Sequence, residues 1–352
     1  MILLSSLITR YQHELERAHG HELLPSHRQA LQAMSRCRQQ GSDLMVLECQ
    51  SCQHTIKVPH SCGHRSCPHC QHFESQQWIE RQTAKLLPVP YFLLTFTVPY
   101  ELRAWFWQHQ RIAYDLLLRT AWLTVQAFGR RDPHLNGQMG AHAVLHTHNR
   151  RLEYHPHVHL IVPAGAVSKK QEQWRSKSGE YLFPVVNLSR VYRAKWFEGL
   201  RRLGVEIRTS LPPEWVVHCK AVGRGDKALV YLGRYLYRGV LPEKNILKDQ
   251  AGNVTFKTID NEGAEIIQTL PGAEFLWLLL RHVLPKRFRR VRDFGLLHGN
   301  AKAMVQLLQI LLHLIPLQPI PANEKQQMAC PECGGLMRII AVRVKEAMPL
   351  LL

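Results

Sequence analysis

The stretch Tyr154-His155-Pro156-His157-Val158-His159-Leu160-Ile161-Val162 decides how this chain is read. A β-strand sends successive side chains to opposite faces. Val158, Leu160 and Val162 then share one face, and His155, His157 and His159 share the other. A strand that buries its apolar face and aims imidazoles the other way is a candidate metal platform. His157 and His159 are the candidate ligand pair, and either His155 or His146 is a candidate third ligand. By ligand preference alone, imidazoles suit zinc, iron or nickel better than magnesium.

Outward from this strand, residues 141–148 form a second β-pattern, joined to it through Asn149-Arg150-Arg151 as an antiparallel hairpin. Residues 91–98 are β-rich and bounded by prolines, and 214–220 also read as a strand. Residues 254–259 and 266–270 form a further hairpin. Helical patterns cover parts of 10–40, where Pro25 is a start signal, and 73–87, 101–107, 111–128, 192–203, 226–238, 273–283 and 301–314. The expected fold is α+β: an antiparallel sheet with flanking helices, preceded by a small zinc-binding domain. The expected segments are 1–88 (helical and zinc-binding), 89–300 (catalytic) and 301–352 (a helix, a proline linker and a Cys-x-x-Cys knuckle).

The chain has 352 residues, 45% of them hydrophobic, enough for a real core. Lys and Arg number 45 against 27 Asp and Glu, a formal charge of +18. That excess favours a polyanionic partner, with nucleic acid first. No run of 18 apolar residues occurs, so no membrane-spanning helix is expected. Residues 1–8 are apolar but lack a basic start and a cleavage site, so no signal peptide is read. The expected location is cytoplasmic, acting at the nucleoid.

Nine cysteines fall mostly in Cys-x-x-Cys pairs. Without a secretion signal, metal binding is the better reading than disulfides. Cys49-x2-Cys52 and Cys67-x2-Cys70 are expected to form one tetrahedral four-thiolate Zn2+ site of structural type. Cys37 and Cys62, with His60, His64 or His69, are candidates for a second zinc. Cys330 and Cys333 are half a site, either a lone turn or ligands whose partners lie elsewhere. Lys57 and Arg65 give the cysteine module a candidate DNA contact.

In the 226–238 helix, Ala228, Leu229, Leu232 and Leu236 make an apolar stripe. Lys227, Tyr231, Arg234, Tyr235 and Arg238 make another face. Two phenols one turn apart among cations suit attack on a phosphodiester, because nearby positive charge favours the phenolate. Tyr237 is turned away and is read as structural. Further on, Lys286, Arg287, Arg289, Arg290 and Arg292 are dense enough to grip a DNA backbone. Phe288 and Phe294 within that tract either stack on bases or pack inward.

His157-Val158-His159 together with Tyr231-x3-Tyr235 is similar to the His-hydrophobe-His endonucleases of rolling-circle replication. More narrowly, the chain resembles the bacterial two-tyrosine transposases of the insertion-sequence ninety-one family. The resemblance spans nearly the whole length. It runs through Cys49-x2-Cys52, Ser61-Cys62-x4-Cys67-Pro68-x-Cys70, Phe96-Thr97-Val98-Pro99, Leu145-His146-Thr147, both site motifs, His282-Val283-Leu284-Pro285-Lys286 and Cys330-Pro331-x-Cys333-Gly334-Gly335. It implies an N-terminal zinc-binding domain and a sheet carrying the histidines. It also implies Mg2+ or Mn2+ at His157 and His159, and Tyr231 and Tyr235 as nucleophiles. One tyrosine would nick single-stranded DNA at an element end and keep the 5′ phosphate, and the second would serve strand transfer. His148 stands where the family often has tryptophan, and Leu236-Tyr237 where it often has Thr-His.

The expected function is thus a DNA transposase forming a 5′-phosphotyrosine intermediate. The sequence leaves two alternatives: a non-catalytic zinc-dependent DNA-binding protein, and a plasmid replication initiator or relaxase with the same chemistry.

Overall fold

The computed structural model describes residues 2–39, 43–70, 72–168, 173–207, 209–237, 240–260, 262–312 and 328–344; at 72–74, 234–237 and 343–344 it describes the backbone alone. Helices α1 (Leu4–His19) and α2 (Pro25–Ser35) come first. Pro25 occupies the first turn of α2, where a missing N–H costs nothing. Strands β1 (Leu44–Cys49) and β2 (Thr55–Pro59) form a hairpin, and α3 (His72–Thr83) follows the cysteine-rich loop. Next come β3 (Tyr91–Thr97), α4 (Arg103–Gln108), α5 (Gln110–Arg131), β4 (Gly140–His148) and β5 (Tyr154–Pro163). A small ribbon, β6 (Gly165–Ser168) with β7 (Gln173–Ser176), precedes α6 (Val185–Arg202), β8 (Val217–Ala221) and α7 (Asp226–Tyr237). Then follow β9 (Ile246–Gln250), β10 (Asn253–Ile259), β11 (Glu265–Pro271), α8 (Gly272–Leu280), β12 (Val291–Gly295), α9 (Lys302–Leu311) and β13 (Met337–Val344).

The central sheet has the order β12-β4-β5-β3-β8, with every neighbouring pair antiparallel. One face carries Leu94, Phe96, Ala143, Leu145, Val158, Leu160 and Val162, buried against α5 and α6 through Tyr114, Leu117, Tyr192 and Trp196. The other face carries Val144 and Ile161 beside Trp78 and Ile79 of α3 and Ala228, Leu229 and Leu232 of α7. The alternation in β5 therefore reports a strand covered on both sides, in an α+β fold with an antiparallel sheet between helices.

The cores cross the three segments expected from sequence. Helices α1 and α2 share a core with Leu241, Ile246, Val254, Phe256 and α8. The hairpin β1–β2 pairs with β13 in a separate three-stranded sheet of order β13-β1-β2. Residues 284–290 of the basic tract turn and then enter the edge strand β12. Among the described residues no helix is long and apolar enough to cross a membrane.

Candidate active site

The ladder β4–β5 sets His146 directly opposite His157, and Val144 opposite His159. Side chains opposite each other in an antiparallel pair share a face, with Cβ atoms about 4.5–5.5 Å apart, whereas i and i+2 on one strand stand roughly 6.8 Å apart. His146 is accordingly the third member of the group. The ligand nitrogens of His146, His157 and His159 all lie within 4.8 Å of one another. Ring centroids are 4.4 Å (His146–His159), 4.9 Å (His157–His159) and 5.1 Å (His146–His157) apart. His155, the other candidate, is engaged by the Arg103 guanidinium through its Nδ1.

Outer partners orient two of the rings. His157 Nδ1 donates to the carbonyl of His155 at 2.7 Å. A carbonyl only accepts, so this bond leaves His157 Nε2 as the lone-pair nitrogen. His159 Nδ1 is hydrogen-bonded to Thr95 Oγ1 at 2.8 Å, from the neighbouring strand β3. Burial first, then neighbouring imidazoles, pushes His146 well below the ordinary histidine range. Burial also lowers His157 to about 4 and His159 to about 3. All three rings are therefore neutral near pH 7, the form that ligates a metal. Three convergent neutral imidazoles, two of them with fixed outer nitrogens, fit a divalent ion by donor chemistry.

The tyrosine helix α7 lies on the same face of the sheet as this triad. Leu229 and Leu232 are fully buried in the core shared with Ile161 and Val144, while Tyr231 is 57% exposed and Lys227 is exposed one turn before it. Helix α3 clamps α7 from outside. Ser75 Oγ donates to the Gly233 carbonyl at 2.8 Å, and a Cβ on Gly233 would stand 2.3 Å from Ile79 Cγ1. Glycine between the two tyrosines is what lets these helices approach. Tyr235 sits one turn after Tyr231 on α7. Its side chain and that of Arg234 lie outside the described residues, as does Arg238.

The basic tract borders an open groove of about 1260 Å³, lined by Arg81, Arg111, Arg287, Arg289 and Arg292. Lys286, Arg287 and Arg289 are exposed; Arg290 and Arg292 are half-buried, and Arg292 pairs with Asp115. Arg81 and Arg111 escaped the sequence reading because they come from distant helices and belong to no charge run. Phe288 is buried against Tyr114 and Phe294 stacks on Trp122 with centroids 5.3 Å apart, so both pack inward. Arg65 is not turned outward either. It donates to the carbonyls of Leu284 (2.9 Å), Pro285 (2.7 Å) and Phe288 (2.7 Å), which fixes the turn that presents the tract.

The cysteines correct the expected pairing. Cys49 and Cys52 do not join Cys67 and Cys70. Cys37, Cys62, Cys67 and Cys70 form one group, and Cys49, Cys52, Cys330 and Cys333 another. The reason is topological: β1 carries the first knuckle to β13, while Cys37 and Cys67 are buried in the core of α1 and α2. In the first group, Sγ–Sγ separations are 3.4 Å (Cys37–Cys70), 3.6 Å (Cys62–Cys70) and 3.6 Å (Cys37–Cys67). A tetrahedron with metal–sulfur bonds of about 2.3 Å has edges of roughly 3.8 Å, so the group needs little expansion to hold zinc. None of His60, His64 and His69 is in this four-thiol group. His69 lies against the buried Glu243 carboxylate, which also accepts from the Leu4 N–H at the start of α1 (2.7 Å).

Two family models match the chain. One described as "Transposase zinc-binding domain" covers residues 7–98, and one described as "Putative transposase" covers residues 140–304. "Putative transposase y4qJ" of Sinorhizobium fredii is 32% identical over 326 residues, covering 86% of this chain and 82% of that protein. "Transposase for insertion sequence element IS801" of Pseudomonas savastanoi pv. phaseolicola is 28% identical, covering 70% of this chain and 64% of that protein. Among solved structures, the conjugative relaxase TrwC in complex with oriT DNA aligns over 63% of this chain and 73% of its own at 14% identity. Its TM-score of 0.27 is too low to bear on either fold or function. With zinc-binding and transposase regions both matched and a relative similar over most of its length, this chain belongs to the two-tyrosine transposases of the insertion-sequence ninety-one family.

Proposed function

We propose that this transposase nicks and rejoins single-stranded DNA through a 5′-phosphotyrosine intermediate, with Tyr231 and Tyr235 as nucleophiles. The observation that carries the reading is that three neutral imidazoles converge on the sheet face that the tyrosine helix covers. His146, His157 and His159 hold a divalent ion, Mg2+ or Mn2+, which when bound supplies positive charge at the phosphoryl oxygens. The phenol oxygen forms a bond to phosphorus as the bond from phosphorus to the 3′ oxygen breaks. The phenol loses its proton and the 3′ oxygen gains one, leaving a free 3′ hydroxyl. Reversal by another 3′ hydroxyl rejoins the strand without added energy. Tyr231 is exposed, as a residue that meets an outside strand must be, and Lys227 stands one turn away to meet a phosphate.

Residues 89–300 carry this chemistry, the arginine groove guides the strand, and Cys37, Cys62, Cys67 and Cys70 hold a structural zinc. The site of action is the bacterial cytoplasm, where the DNA is. Incubation with Mn2+ and a single-stranded oligonucleotide bearing an element end should give an SDS-resistant protein–DNA band. Tyr231→Phe with Tyr235→Phe should abolish it. Wild-type protein that binds the strand and leaves no such band would make this copy a binding protein only.

A further inference from the structure

We propose that Cys49, Cys52, Cys330 and Cys333 bind one zinc ion, closing a ribbon whose two knuckles come from distant parts of the chain. Cys52 and Cys333 are 281 residues apart in sequence, yet their sulfurs stand 3.3 Å apart. Cys49–Cys333 and Cys52–Cys330 separations are 3.5 and 3.6 Å. All four are free thiols.

The two knuckles have the same backbone. In the first, Gln53 N–H donates to the Cys49 carbonyl (3.1 Å) and Cys49 N–H donates to the His54 carbonyl (2.8 Å). In the second, Gly334 N–H donates to the Cys330 carbonyl (2.9 Å) and Cys330 N–H to the Gly335 carbonyl (2.7 Å). The residue after the second cysteine is left-handed in both, Gln53 at φ 59° and Gly334 at φ 72°. A non-glycine residue tolerates that conformation only at some cost, so two copies of one turn facing each other mark a shared requirement. That turn points both sulfurs of a Cys-x-x-Cys pair to one side. Ser51 N–H also points at Cys49 Sγ (3.4 Å), a donor that favours thiolate.

The ribbon's own core is too small to hold it. Among the described residues its apolar cluster buries Leu47, Cys49, Cys330 and Met337, with Met45, Ile56 and Val58 partly covered. A sheet of three strands with so little apolar burial needs a staple. Four thiolates in a near-tetrahedral group select a soft, geometry-tolerant ion, which is zinc. Neither matched family region reaches residues 328–344.

The test uses the wild-type holoprotein and peptide-resolved alkylation with iodoacetamide, with and without a strong zinc chelator. Cys52 and Cys333 are exposed, and a bare exposed thiol reacts readily. In the holoprotein both should react at least about tenfold more slowly than after chelation. Cys330→Ser with Cys333→Ser, checked for retained circular dichroism, should lose one equivalent of zinc. Equal alkylation rates before and after chelation would overturn the proposal. So would thiols protected by a disulfide that only a reductant releases, or an unchanged zinc content in the double variant.

Discussion

The histidine triad and the cysteine groups are both gathered ligand sets, but they are gathered by opposite means. His146, His157 and His159 sit on two adjacent strands joined by a short turn. The sheet positions them whether or not an ion is present. The cysteines are drawn from loops and knuckles far apart in the chain, Cys37 with Cys70 and Cys52 with Cys333. The first group lies against the α1–α2 core and the second at the end of the β1–β13 ladder, yet in each the ligands themselves sit largely on loops and tight turns. A rigid platform should tolerate metal loss; a loop cluster should not.

That contrast is sharpest under chelation. Stripping metal from the thiol groups should lower the melting temperature by more than about 10 °C, since a structural zinc contributes roughly 10–16 kcal/mol of apparent binding in small peptides. Milder chelation that removes only the ion from the histidines should shift it by less than about 2 °C. Calorimetry under the two conditions decides it, and equal shifts would erase the distinction. Next in size, His146→Ala should weaken Mn2+ binding about 100-fold, or roughly 2.7 kcal/mol by titration calorimetry, with melting nearly unchanged.

Gly233→Ala probes the join between the two regions, because α3 follows directly on Cys70 and clamps the tyrosine helix. Its Cβ would press on Ile79 and Trp78, so a loss of about 1–3 kcal/mol in denaturant unfolding is expected, together with slower adduct formation. The smallest effect belongs to His155→Ala. His155 stands 5.3 Å from the His157 ring but its Nδ1 is held by Arg103 and it is outside the convergent group, so Mn2+ affinity should change less than about twofold. A large loss there would put His155 among the ligands and sink the geometric assignment.

Legibility followed the same divide. The period of two in β5 announced both a strand and the side its histidines face, because that information is local. The helical spacing of Tyr231 and Tyr235 was local as well. Choosing His146 over His155 required the hairpin register, which depends on the turn at Asn149–Leu152 and is not written in either strand. The cysteine pairing was beyond spacing altogether. Cys-x-x-Cys states that a knuckle exists but carries no mark of its partner, and the nearer knuckle in sequence was the wrong one. Strand β12 was hidden because Arg292 and the arginines just before it mask an edge strand as a charge run. Family resemblance supplied the transposase reading, and the residues alone supplied a metal platform, a phenol pair suited to phosphodiester attack and a charge that favours nucleic acid.

The pairing of β1 with β13 has a consequence for how the protein is made. Strand β1 is central in its sheet, so one of its edges waits for a strand translated almost three hundred residues later. At roughly 5–20 residues per second that wait lasts about 15–60 s. Throughout it the nascent chain displays an unpaired β-edge, open to joining the same edge on a neighbouring polysome. A premature stop anywhere before β13 makes that exposure permanent.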